Sequence, residues 1–421
     1  MKTVGIIAEY NPFHNGHKYQ LKQAKALSGA DYAVVVLSGD FTQRGAPALV
    51  NKYARCEMAL MGGADLVLEL PACFSLGSAE YFARGAVTLL DSLGVDSLCF
   101  GSECGDLSSL KLAADILYRE PEEFKRLLLD HNRNGMSFPA ARSLALSEYI
   151  HNTAEGTERL AGLSIDELLQ YPNNILGIEY IKALLLRNSA MEIYTLCRQG
   201  SGYQDTSLPS DSFCSALAVR QAIEQGMPLT SLAPYLPEST LQILERELKL
   251  GFPVITDDFS SMLFYRLLSL RSQGYTSFAD VSPALSDKIC NSLEEYTSFS
   301  HFCGNVLKSK DLTHTRISRA LFHILLDITE EFLQEAACLK TACYARILGF
   351  KTASSDLLSA LSASNTPLLS KLSDAEKLLG PFGRTMFAQD VFASHLYEGI
   401  AAQKTGRTPE HEYRRPIIRM P

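Results

Sequence analysis

No two of the ten cysteines stand in a C-x-x-C pair; they are scattered from Cys56 to Cys343. That absence argues against a cysteine zinc site and, in a chain of 421 residues, against a disulfide frame. Reduced thiols in a reducing compartment are expected, which suits the cytoplasm. No apolar run reaches the roughly 18 to 20 residues that a membrane helix needs. A leader pattern is missing too: the short apolar run from Lys2 to Tyr10 is broken by Glu9, and no small-residue cleavage site follows. No internal repeat is found.

What is present is ordinary globular composition: 46% hydrophobic residues, 20% charged residues and a mean hydropathy close to zero. The length suits two or three domains. Net charge is −8, carried by an acidic body, whereas residues 301–421 are mildly basic. That asymmetry suits a polyanion at one end, or is ordinary scatter.

The first 200 residues alternate strand-like and helical patterns. Continuous apolar runs at Thr3–Ala8, Tyr32–Leu37, Leu66–Leu70, Ser97–Phe100 and Glu192–Cys197 predict strands buried on both faces. Helical spacing at Lys18–Leu27, Tyr53–Met61, Ala79–Leu93 and Leu107–Leu129 falls between them, so a parallel sheet is expected. A helical insertion is expected over about 121–187. After Cys214 the pattern turns helical, at Asp258–Leu270, Ala284–Tyr296, Ser318–Leu333 and Lys340–Leu348. The last 20 residues read as an irregular tail that packs back or wraps a neighbour. The expected architecture is α/β: a Rossmann-like domain over 1–235, then a mainly α-helical domain over 236–421.

The sharpest local signal is Gly5-Ile6-Ile7-Ala8-Glu9-Tyr10-Asn11-Pro12-Phe13-His14-Asn15-Gly16-His17, followed by Lys18. A strand ends near Ala8, Asn11-Pro12 marks a turn, and His14 and His17 straddle the start of a helix. A helix N-terminus after the first parallel strand is a ready anion site. Two imidazoles there can reach one phosphate and stabilise charge developing on it. Gly16 lets the backbone approach a ligand without a Cβ in the way. Two incidental histidines, or a pair of metal ligands, are the alternatives.

H-x-G-H in this position resembles the signature of the nucleotidyltransferase superfamily of cofactor adenylyltransferases and class I tRNA synthetases. A second motif of that superfamily, similar to I-S-S-T-x-x-R, has a counterpart in Cys214-Ser215-Ala216-Leu217-Ala218-Val219-Arg220. Leu217 stands where a hydroxyl residue is more usual. Ser215 and Arg220 are the implied contacts for the β- and γ-phosphates.

Other segments fall at the same sheet edge. Ser38-Gly39-Asp40-Phe41-Thr42-Gln43-Arg44-Gly45 follows the second strand; it offers Arg44 or Lys52 to an anion, or is a surface loop. Gly101, after the fourth strand, suits close approach to a base or ribose. Asn173 and Asn174 precede a helix and either cap it or bond an adenine edge. Arg198 ends the fifth strand.

These strings together, with P-N-N-I-L-G-I-E-Y, F-G-S-E, Lys308-Ser309-Lys310, Thr315–Arg319 and Arg346–Phe350, resemble the bacterial tRNA(Met) cytidine acetate ligase family. The resemblance implies acetyl-adenylate formation from acetate and ATP, with Mg²⁺, then acetyl transfer to the wobble cytidine of elongator tRNA(Met), giving N4-acetylcytidine. His14 and His17 are the implied catalytic residues. The run from Ile7 to Lys18 with Gly101, Asn173, Asn174, Arg198, Ser215 and Arg220 is the implied nucleotide site. Gln43, Arg44, Lys308, Lys310, Arg316 and Arg319, with Arg414 and Arg415, are the implied substrate and RNA contacts. A small-molecule cofactor adenylyltransferase and a non-catalytic nucleotide- or RNA-binding protein are the competing readings.

Overall fold

A computed structural model describes residues 1–136, 138–152, 168–198, 213–309 and 312–421. The apolar runs form the sheet: β1 (Thr3–Ala8), β2 (Tyr32–Ser38), β3 (Leu66–Leu70), β4 (Ser97–Ser102) and β5 (Glu192–Cys197). All five are parallel in the order β3-β2-β1-β4-β5. The order reverses between β1 and β4, and their carboxyl ends open the crevice where such sheets bind ligands. Helices α1 (Asn15–Ser28), α2 (Lys52–Gly62) and α3 (Ala79–Ser92) connect the first four strands.

The helix expected over Leu107–Leu129 is two, α4 (Leu107–Arg119) and α5 (Glu122–Arg133). Glu120 adopts φ 45° between them. Pro121 disfavours helical geometry in the residue before it and has no N–H to give. Then come α6 (Phe138–Asn152), α7 (Pro172–Arg187) and α8 (Ala216–Glu224).

After residue 235 the chain is largely helical: α9 (Glu238–Leu248), α10 (Ser260–Leu270), α11 (Pro283–Ser292), α12 (His314–Leu326), α13 (Glu330–Ala337) and α14 (Pro381–Thr405). The helix expected over Ser318–Leu333 divides at Asp327, which takes φ 61°. The helical reading of Lys340–Leu348 is overturned. Ala345–Lys351 is a strand, β6, antiparallel to β3. Its apolar run is too short for periodicity to separate helix from buried strand. The open edge of β3 decides it, since unpaired backbone there needs a partner. The tail likewise ends as a strand, β7 (Ile418–Met420), parallel to β6. The C-terminal segment therefore completes the sheet begun at the N-terminus. Gly349 permits this, because a Cβ there would lie 2.8 Å from the Cys56 thiol and 2.9 Å from Ile418.

A buried ionic cluster fastens that junction. The Lys52 ammonium, with no exposed surface, lies 2.7 Å from Glu69 and 2.6 Å from Glu412. Arg346 bridges the same two carboxylates at 2.9 and 2.5 Å. Lys52 is thus unavailable to a ligand anion, contrary to the expectation above.

A second tie joins the hairpin after β2 to α12. Ser318 Oγ donates to the Gly45 carbonyl at 2.5 Å. Gly45 has φ +69°, and a Cβ there would lie 2.5 Å from the Arg319 backbone nitrogen. Gly45→Ala is expected to destabilise the protein by about 1–3 kcal/mol through overpacking. The urea-denaturation midpoint checks this; a wild-type midpoint would show that the contact yields. Among the described residues no helix is long and apolar enough to cross a membrane.

Candidate active site at the carboxyl edge of the sheet

The chain leaves β1 at Ala8 and reaches α1 through a compressed turn. Tyr10 sits there at φ 46°, a conformation non-glycine residues seldom adopt, and the Asn11–Pro12 peptide is cis. Two anchors hold the turn. Leu49 N–H donates to Asn11 Oδ1 at 2.8 Å. Arg55, fully buried, donates to the carbonyls of Glu9 (2.7 Å), Ser38 (3.0 Å), Val50 (3.1 Å) and Gly39. It binds the ends of β1 and β2 together with one guanidinium. Its only trace in the sequence is an arginine within the apolar stripe of α2, which periodicity alone does not flag.

His14 is the N-cap of α1. Its Nδ1 accepts the Gly16 N–H at 3.1 Å, and His17 Nδ1 accepts the His14 N–H at 3.2 Å. This is a capping box built from two imidazoles. The rings stack with centroids 3.6 Å apart and 22° between planes, and Tyr10 packs on His17 at 4.8 Å. A Cβ at Gly16 would lie 2.9 Å from His14 Cε1, so the stack itself requires glycine there.

The capping fixes the tautomer. A backbone N–H can only donate, so each Nδ1 is an acceptor and the hydrogen of each neutral ring resides on Nε2. Burial, then Arg198 and Arg220, pulls the His14 imidazolium down to about 3. Burial, then His14 and Arg198, lowers His17 well below the ordinary histidine value. Both rings are therefore neutral near pH 7 and serve as N–H donors, while the positive charge of the site comes from the two arginines.

A cavity of about 130 Å³ opens here, lined by Ile7, Ala8, Glu9, Tyr10, Asn11, His14 and His17 from one side. Gly101, Asn173, Arg198 and Arg220 face them, and Phe82, Phe100, Leu176 and Tyr180 form an apolar wall. Arg220 Nη1 also donates to the Asn11 carbonyl at 2.7 Å. The close approach of α7 to β4 depends on Gly177, where a Cβ would lie 2.5 Å from the Phe100 ring. Donors, cations and apolar side chains around one cavity suit a nucleotide polyphosphate.

Other predicted residues lie elsewhere. Phe13 is buried against Gly62, Lys18 is exposed, and Pro12 is buried outside the lining. Asn15 donates to the Pro234 carbonyl at 2.9 Å. Ser215 caps α8 by accepting the Ala218 N–H, and it is Leu217 that lines the cavity. Asn174 is buried, and its Oδ1 accepts the N–H groups of Glu103 and Cys104. Glu103 in turn accepts from Asn173 Nδ2 at 2.6 Å and Asn174 N–H at 2.9 Å. The role of Glu103 has no local trace in the sequence, because it needs the two segments side by side.

Gln43 lines the cavity, and Arg44 does not. Lys308 is exposed and Arg316 is 45% exposed, but Arg319 is largely buried and held bidentately by Asp280 at 2.8 and 3.3 Å. Arg414 is exposed; Arg415 pairs with Glu398 and Glu410. Lys310 lies outside the described residues. No group of three or more His, Cys, Asp or Glu among the described residues could hold a metal ion, so His14 and His17 find no third ligand there.

A family model described as HIGH Nucleotidyl Transferase matches residues 1–412. The tRNA(Met) cytidine acetate ligase of Acetivibrio thermocellus is 37% identical, the alignment covering 100% of both chains. That of Clostridium novyi is 40% identical over 88% of this chain and 90% of its own. The chain belongs to the tRNA(Met) cytidine acetate ligase family. The fold agrees with that membership. Thermotoga maritima TmcAL in its apo form superposes over 100% of both chains with TM-score 0.92 at 32% identity. The same ligase bound with α-thio ATP gives TM-score 0.90 at 31% identity over the same extent. The α/β nucleotidyltransferase architecture is therefore shared along the whole length of these ligases.

Proposed function

We propose that this protein activates acetate with ATP and passes the acetyl group to the wobble cytidine of elongator tRNA(Met), yielding N4-acetylcytidine. The observation that carries the reading is the stacked His14–His17 pair, its Nε2 hydrogens left over after capping, beside Arg198 and Arg220 at the sheet's reversal point. Acetate oxygen attacks the α-phosphorus of ATP and pyrophosphate departs. Negative charge grows on the non-bridging oxygens at that moment. Two fixed neutral N–H donors and the α1 amide terminus meet that charge without reorganisation. Arg198 and Arg220 suit the departing phosphates. The apolar wall of Phe82, Phe100, Leu176 and Tyr180 suits the adenine face.

Among the described residues no group of three or more His, Cys, Asp or Glu could hold a metal ion. Mg²⁺ is expected to come with the triphosphate, where it commonly keeps phosphate and water ligands, and no residue is assigned to it. When bound it would screen the pyrophosphate charge.

The test is acetate-dependent ATP–pyrophosphate exchange, first without RNA and then with unmodified tRNA(Met). Exchange that requires acetate supports acyl-adenylate chemistry. Exchange driven by a phosphate monoester instead of acetate would point to a cofactor adenylyltransferase. ATP binding with no exchange in either condition would point to a non-catalytic role.

Lys308 and Arg316 are the exposed cations proposed for the RNA backbone. Arg319 is left out of the test because it is largely buried and committed to a bidentate pair with Asp280. Lys308→Ala with Arg316→Ala is expected to weaken tRNA binding and to lower the slope of log affinity against log salt by about one per lost contact. Acetate-dependent exchange should be unchanged. A variant altered only in ATP affinity would place the RNA face elsewhere.

A further inference from the structure

The transfer step releases a proton that needs an acceptor. As the cytidine amine attacks the acetyl carbonyl, the N4–C bond forms, the bond from that carbon to the phosphate oxygen breaks, and AMP leaves with the electron pair. The NH2 nitrogen becomes an amide N–H, so one proton must pass to a group beside the anhydride.

Acceptors in the cavity are few. His14 and His17 line it, but each Nδ1 already accepts a backbone N–H, so Nε2 carries the hydrogen. An imidazole arranged in this way donates and has no lone pair left for the amine proton. Asn11, Gln20, Gln43 and Asn173 are amides, and Arg198 and Arg220 are cations. Glu9 is the one carboxylate among the described residues that line the cavity. It follows β1 directly, at the reversal point of the sheet. Its Oε1 accepts the Gln43 N–H at 2.9 Å, which orients the side chain, and its Oε2 makes no hydrogen bond to a described residue.

Electrostatics sharpens the point. A carboxylate lining a polyphosphate site repels the ligand it helps to enclose. That charge opposes the phosphates during adenylation, whereas acyl transfer needs a base at this place. We infer that Glu9 is a catalytic residue that accepts the N4 proton during acetyl transfer, an inference that rests on the acyl-transfer reading above. The carboxylate becomes a carboxylic acid as the amide forms, and it returns its proton to water after AMP departs.

Glu9→Gln tests this because the amide oxygen can still accept the Gln43 N–H, so only the charge and basicity are lost. Three rates are read on full-length protein. They are acetate-dependent ATP–pyrophosphate exchange, acetyl hydroxamate formation with hydroxylamine (a strong nucleophile that needs no protein base), and acetyl transfer to unmodified tRNA(Met). Transfer is expected to fall by about 10²–10⁴-fold, and by at least about tenfold more than exchange or hydroxamate formation, whatever smaller change those two show. A parallel fall in all three would make Glu9 a part of the adenylation site and overturn the inference. Transfer at the wild-type rate would overturn it as well. A wild-type protein without acetate-dependent exchange would instead remove the acyl-transfer reading, and this inference with it.

Discussion

Replacing His14 or His17 with Ala slows acyl-adenylate formation by about 10²–10³-fold, the loss typical of removing one donor aimed at developing charge. Each ring has two jobs in this geometry. His14 Nδ1 caps α1 through the Gly16 N–H, and His17 Nδ1 accepts the His14 N–H, while Nε2 remains for substrate. His14→Ala therefore also removes an N-cap, with about 0.5–2 kcal/mol of stability. His14→Asn separates the effects: asparagine is a good N-cap but is too short to replace Nε2. It should keep most of the stability and show the same rate loss. Near-normal exchange in these variants would take the histidines out of the chemistry. The pH dependence carries the sign. Because burial and the arginines lower both imidazoles, to about 3 for His14, the donor form is the neutral one. The kcat/KM for ATP should not decline as pH rises through the ordinary histidine value, roughly 6.5. A decline there would mean that imidazolium is the working form.

Lys52→Met destabilises the fold by about 3–5 kcal/mol, as expected when one partner of a buried ionic cluster is removed. The methionine fills much of the volume, but Glu69 and Glu412 are then left to share Arg346. Ser394 Oγ, 2.6 Å from the ammonium, loses its partner as well. Urea denaturation measures the loss. Since Glu412 belongs to the tail that carries β7, limited proteolysis should also cut that tail sooner in the variant. Adding Glu412→Gln should recover part of the stability, and strict additivity would show that the two side chains do not interact. Acidification should act in the same direction. Burial raises the Glu412 carboxyl, but Lys52 and Arg346 outweigh it and hold it well below the usual carboxylate range. Its stabilisation is present above the unfolded value and is lost as pH falls through the folded one. Asp390, pushed up to about 7 by burial and then by Glu69, has the opposite sign, and its contribution fades as pH rises toward 7.

Much of the candidate site could be read along the chain. Strand β1, the turn at Asn11-Pro12, His14 and His17 at the start of α1, and Arg198 after β5 are each set by neighbours within a few residues. Continuous apolar runs, turn residues and a helix start are local signals, and a parallel sheet then brings the carboxyl ends of its strands together. Arg220 followed from a motif resemblance more than from pattern.

Other features were settled only by long-range packing. Lys52 and Arg319 look like any surface cation in sequence, yet Glu69 and Glu412 capture the first and Asp280 the second. The run at Ala345–Lys351 is compatible with either helix or strand until the free edge of β3 supplies backbone partners. Arg55 gains its meaning from four carbonyls in three separate segments. Even the proton positions on His14 and His17 depend on which backbone N–H groups the turn presents. The sequence by itself determined where a helix start suited to an anion would stand and which strands would surround it, because apolar periodicity and turn chemistry act over a few residues. Tertiary structure decided which charges are buried, which line the cavity and how the sheet is closed, because burial and pairing depend on elements hundreds of residues apart.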